Sequence, residues 1–177
     1  MAWSFRLFSA RTGPRYFHAA YRFACCGAFI AIGSGFATAT ENGIPPQIWL
    51  NAGFLSAHAD RSQDYRETNI GIGVELLLAP QHGFFAGNYI NSHGTRSRYG
   101  MYQWRPLHQQ IEYLHLGAGL AAGGIDGYEK YHNGGWFFGI LPMLFLEGDR
   151  FGANLLLVPA SEPAHRLVAI QLKIRVR

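Results

Sequence analysis

The chain has 177 residues, with 15 Lys+Arg against 11 Asp+Glu and two cysteines. Four arginines, Arg6, Arg11, Arg15 and Arg22, lie before residue 40 and no acid does, so residues 40–177 balance at 11 against 11. Basicity confined to one terminus excludes a nucleic-acid footprint. Cys25 and Cys26 fall in the same N-terminal stretch, which excludes a disulfide framework or a thiolate metal site beyond it.

The arginines precede an uncharged run over residues 23–39 that ends in Ala37-Thr38-Ala39. A basic segment, an apolar core and a small-residue A-x-A end are the pattern of a secretory signal peptide, expected over 1–39 with cleavage after Ala39. The run is short of the roughly 20 apolar residues of a membrane-spanning helix. The cysteine pair stands near its start, whereas a lipoprotein cysteine stands at the end. Residues 40–177 then form one domain. No stretch there reaches 18 uninterrupted apolar residues, so a membrane role requires a closed sheet, which satisfies every backbone group in lipid.

Strand one is expected over 47–58, with Ile48, Leu50, Ala52 and Phe54 on one face and Asn51 and Gly53 on the other. After a polar loop, strand two over 68–79 alternates most clearly: Ile70, Ile72, Val74, Leu76 and Leu78 against Asn69, Gly71, Gly73 and Glu75. Apolar outside and small or polar inside is the pattern of a narrow membrane barrel. Glu75, facing inward, needs a partner, and Arg105 or Arg98 is the candidate. Pro80-Gln81-His82-Gly83 reads as a tight turn. Strand three follows over 84–91, then a loop with Ser92, His93 and Gly94, then strand four over 97–105, with Pro106 closing a second short turn.

Strand five over 111–123 sets Leu114, Leu116, Ala118 and Leu120 against His115, Gly117, Gly119 and Ala121. The longest loop, 124–134, holds Asp126, Tyr128, Glu129, Lys130 and His132. Strand six over 135–146 is apolar on both faces, so its inner face is expected to be oily. Glu147-Gly148-Asp149-Arg150 is a third short turn. Strand seven over 151–158, the loop 159–166 and strand eight over 167–176 complete the chain.

Connections after strands two, four and six are short and the others long. The expected fold is all-β, an eight-stranded antiparallel up-and-down transmembrane β-barrel of the Gram-negative outer membrane. A soluble lipocalin-type barrel would alternate too, but needs a polar exterior. Trp49, Tyr102, Trp104, Tyr113 and Trp136 stand near strand ends, where an interface girdle is expected.

Tyr99-Gly100, Trp104-Arg105-Pro106-Leu107 and the run from Leu114-His115-Leu116-Gly117 to Ala122-Gly123 resemble the lipid A palmitoyltransferases of the PagP type, loosely over 45–160. Leu141-Pro142 and Val158-Pro159 fall where that family has prolines. Asn91-Ser92, Asp126-Gly127-Tyr128 and Leu172-Lys173 also resemble a set of small uncharacterised barrels.

The resemblance implies a barrel that holds an acyl chain inside and moves palmitate from a phospholipid to lipid A. Its rim chemistry rests on a His and an adjacent Asp-Ser pair, whose place Asn91-Ser92 occupies. Independently, His58 and Ser92 lie at the outer ends of strands one and three, on one rim, which suits a base and an oxygen group. The candidate catalytic residues are thus His58, Ser92 and Asn91, with Arg96 in support. Pro142 cannot donate to a ladder and opens a lateral gap or marks a bulge. With Pro159 and Met143 it is the candidate contact for a lipid tail.

The chain departs from the family in several places. Asn91 replaces the Asp, the family's His aligns near Ala52 and not His58, Asn69 replaces one gap proline, and no amphipathic N-terminal helix fits before Pro46. The C-terminus is Val176-Arg177 where outer-membrane barrels commonly end in an aromatic residue. His82, His93, His132 and His165 lack metal-ligand spacing, so no metal and no cofactor are expected. Expected partners are phospholipid, lipid A and the barrel assembly machinery. Two alternatives stay open: a non-enzymatic structural or lipid-binding barrel, and a lipid A deacylase.

Overall fold

The computed structural model describes residues 45–62, 64–129, 132–159 and 166–177. The expected signal peptide and His165 lie outside the described residues. Eight antiparallel strands close in sequence order: β1 (Gln47–His58), β2 (Thr68–Ala79), β3 (His82–Ile90), β4 (Arg96–Ile111), β5 (Leu114–Ile125), β6 (Phe137–Glu147), β7 (Phe151–Val158) and β8 (Leu167–Arg175). Pairing of β1 with β8 closes the barrel, so no strand is left as an edge. Tight turns after β2, β4 and β6 share one end, the base, with both ends of the barrel chain, and the longer loops crown the other end, the mouth.

Alternation places oil outside. Ile70, Ile72 and Val74 on β2 are exposed, Ile70 by 65%, as are Phe138, Ile140 and Leu144 on β6. Tyr102, Trp104, Tyr113 and Trp136 are exposed on the same outer surface. The interior has two layers. Toward the mouth, Phe54, Phe85, Tyr89, Tyr99, Met101, Met143 and Leu156 pack together, as the oily inner face of β6 leads one to expect. Toward the base lie buried charges and amides, with Lys173 bonded at 2.7 Å to both Glu75 and Glu147 and Arg105 forked onto Glu147 at 2.8 and 2.9 Å.

Glycine makes room for the aromatic layer. Gly73 and Gly87 face each other across β2 and β3, and a Cβ on either would collide with the Tyr99 hydroxyl. The hydroxyl end of Tyr99 therefore rests against a wall that only glycine can form at those two points.

Four expectations are corrected. Phe54 faces inward, because β1 has one residue more than β8 between Asn51 and Phe54, a bulge that reverses the alternation. Leu55 is then outside, and Ser56 and His58 are inside. Trp49 is fully buried and belongs to no girdle; its ring lies 4.9 Å from the Lys173 ammonium and 4.7 Å from the Arg175 guanidinium. Glu75 pairs with Lys173 of β8, since Arg105 is taken by Glu147 and Arg98 points out to Asp126 at the mouth. Pro106 closes no turn, for β4 continues to Ile111 and turns at Glu112, whose φ is 54°. Pro106 sits in a bulge between Trp104 and Leu107, past the last β3 partner, so its missing N–H interrupts no ladder.

Candidate functional site

The bulge in β1 determines where His58 goes. With the alternation reversed, the last residue of the strand turns into the mouth, where His58 is 7% exposed and its Nδ1 has no hydrogen-bond partner among the described residues. An unpaired buried polar atom costs about 1–3 kcal/mol. The loop after β1 folds over the mouth and stacks Tyr65 on the His58 ring with centroids 4.3 Å apart. Tyr65 in turn meets the edge of His93, and His93 the edge of Tyr128, at 5.4 and 6.2 Å.

The corner between β3 and β4 is built around Asn91. Its Oδ1 accepts from the backbone N–H of His93 and Thr95 at 2.9 and 3.1 Å, which fixes the turn. Its Nδ2 donates to Thr95 Oγ1, Ser97 Oγ and the Gly127 carbonyl at 2.7, 3.0 and 2.9 Å. An amide has two hydrogens, and both are committed. Asn91, one of the candidate catalytic residues, thereby ties this corner to the loop after β5.

Gly127 fits that tie. Its φ is +83° and a Cβ would strike the Arg96 carbonyl, so glycine alone is accepted. Beside it, Asp126 accepts from Arg98 N, Nε and Nη2 at 2.6, 2.8 and 2.6 Å. The Asn91-Ser92 and Asp126-Gly127-Tyr128 patterns are thus two halves of one lock, and Lys173 of the third pattern is the hub of the charged layer.

The barrel brings His58 and Ser92 to the same mouth but not into a hydrogen bond. They are joined through Tyr65 and His93, and through the Arg66 N–H, which donates to the Ser92 carbonyl at 3.1 Å. Ser92 is buried and Arg96 is exposed beside it. Tyr65, His93 and Tyr128 escaped sequence reasoning, because loop aromatics carry no periodic signal and only the folded loops bring them together.

Pro142 lies where β6 and β7 part. Pairing between them runs only from Glu147↔Gly152 to Met143↔Leu156. Above that point, Phe137 to Pro142 pair with β5 alone, while Leu157 and Val158 pair with β8 alone. Pro159 follows directly at the exposed end of β7. Behind the parted strands is Gly139, on the inward-facing series of β6, and a Cβ built there meets no atom of the described residues within 4 Å. Met143, fully buried, Leu141 and Leu167 line the apolar interior nearby.

Fold and site together define a small closed β-barrel with an oily exterior, a crowned mouth and one interrupted strand pair. Compared with known proteins, the chain matches no family model and no curated protein.

Proposed function

We propose that this chain is an outer-membrane barrel that takes an acyl chain of a phospholipid in between β6 and β7 and transfers it to a lipid A hydroxyl at the mouth. This is the reaction class of the acyltransferases it resembles. The observation that carries the reading is the end of β6–β7 pairing at Pro142, where a Cβ built at Gly139 meets no atom of the described residues within 4 Å. In hydrocarbon an interrupted ladder leaves backbone groups unpaired at a cost of several kcal/mol each. A break that opens onto an apolar interior suits a lipid tail. The outward Ile70, Ile72, Val74, Phe138 and Ile140 support placement in a membrane.

The chemistry assigned to the mouth is ester exchange. The acceptor hydroxyl attacks the acyl carbonyl while His58 takes its proton, and the tetrahedral oxyanion collapses with departure of the lysophospholipid oxygen, which receives that proton back. Ser92 supplies a hydroxyl hydrogen bond to the developing oxyanion, and the Arg96 guanidinium suits a lipid phosphate. One observation favours a second reading, a lipid-binding barrel without catalysis: Asn91 has no free hydrogen for an oxyanion, and no hydrogen bond joins His58 to Ser92.

Mass spectrometry of lipid A from cells with and without the gene separates the readings. Gain of one palmitoyl chain supports transfer, loss of one acyl group indicates deacylation, and no change leaves the binding barrel. His58→Ala and Ser92→Ala should each abolish the gain while heat-modifiable migration of the barrel persists. Activity that survives both substitutions removes this site.

A further inference from the structure

The base of the barrel carries a second feature, on its outer surface. The β4–β5 hairpin outruns its neighbour: His82 of β3 pairs with Trp104, so residues 107–111 of β4 pair with β5 alone. The projecting hairpin continues the oily face with Leu107, 67% exposed, Ile111 and Tyr113. Between its tip and the β6–β7 turn lies a hollow of about 550 Å³. Leu114, Leu146, Phe151 and Ala153 line it, and Tyr113, Asp149 and Arg150 stand at its margin. Asp149 and Arg150 are exposed, and neither enters an ion pair among the described residues.

We propose that this hollow binds a zwitterionic aminophospholipid of the periplasmic leaflet, of the phosphatidylethanolamine type. The inference rests on the membrane placement proposed above and is independent of catalysis at the mouth. The hollow's volume falls in the range of small-ligand sites and its apolar lining takes the upper part of an acyl chain. Tyr113 offers the ring and hydroxyl that suit the glycerol ester level of a membrane interface. The charge pattern selects the headgroup. Adjacent Arg150 and Asp149 present a cation and an anion side by side, complementary to a phosphate followed by an ammonium. A headgroup that carries only negative charge would set nothing against Asp149.

The test is native mass spectrometry of the detergent-refolded barrel mixed with phosphatidylethanolamine or phosphatidylglycerol. One phosphatidylethanolamine should be retained. Phosphatidylglycerol retention, and phosphatidylethanolamine retention by Arg150→Gln, should each be lower by about tenfold, the worth of one charge-assisted hydrogen bond. Ala153→Trp, which fills the hollow, should abolish retention, whereas Ala86→Trp on the outer face of β3 should leave it intact. Equal retention by the two Trp variants, with both barrels folded by heat-modifiable migration, would mean unspecific surface lipid and overturn the proposal. Equal binding of the two phospholipids would overturn the headgroup assignment. Absence of acyl transfer to lipid A leaves the proposal standing. A barrel that stays dispersed in water without detergent removes the membrane placement and this site with it.

Discussion

Lys173→Met removes the hub of the charged layer. The ammonium is wholly buried and holds Glu75 and Glu147 at 2.7 Å each. With Arg105 the four charges sum to zero, so the variant leaves one buried negative charge. Arg105 keeps its fork on Glu147, and the loss falls on Glu75, which retains only amide donors: Asn154 at 2.7 Å, Gln103 at 2.9 Å and Asn51 at 3.4 Å. Stripping one partner from a buried ion pair costs about 3–5 kcal/mol. Adding Glu75→Gln restores neutrality. The new amide nitrogen, at the place of Glu75 Oε1, faces Gln103 Nε2, so the Gln103 amide must rotate by half a turn to present Oε1, which lacks a partner among the described residues. The double variant should therefore recover about 2 kcal/mol of that loss. Urea unfolding in detergent micelles, followed by tryptophan fluorescence, measures both, with Trp49 lying 4.9 Å from the replaced ammonium. A single variant that loses less than about 1 kcal/mol, the worth of a solvent-exposed pair, would refute the reasoning. So would a double variant no more stable than the single one.

Gly73→Ala should destabilise the barrel by about 1–3 kcal/mol, because the new methyl displaces the Tyr99 hydroxyl. Gly100→Ala, where a Cβ meets nothing within 4 Å on the outer face, should stay within about 0.5 kcal/mol; similar losses in the two unfolding curves would count against the packing assigned to Tyr99. Asn91→Asp keeps the shape of the side chain but removes the donor to the Gly127 carbonyl, and should cost about 1–3 kcal/mol with faster proteolysis at residues 91–95. A variant that is as stable as the parent, or more active on lipid A, would show that Asn91 does not act as the lock. Gly139→Leu fills the space behind the parted strands; the proposed acyl transfer should fall to background while stability changes by less than about 1.5 kcal/mol, and undiminished transfer would exclude this path for the tail.

Strand count, closure and oily exterior were legible because alternation is a local property: each residue of Ile70, Ile72 and Val74 announces its face two positions from the next. That Pro142 disturbs the ladder, by a gap or by a bulge, was legible for a similar reason, since proline lacks its N–H in any context. The candidate site was legible only in part. His58 and Ser92 were placed on one rim by counting strands, but the rings between them, and the use of both Asn91 hydrogens, were not.

By itself, then, the sequence determined the eight strands, their alternating connections and which face of most of them is apolar. Only closure of the sheet decided the rest. Gly53 lies in the bulge of β1, where a Cβ would strike the Asn69 carbonyl of the paired strand, and the extra residue of β1 relative to β8 turns Phe54, Ser56 and His58 inward. Lys173 meets Glu75 across 98 positions of chain, a pairing set by register around the whole barrel. Periodicity reports how a strand divides its residues between two faces; it carries no information on which residues meet across the lumen.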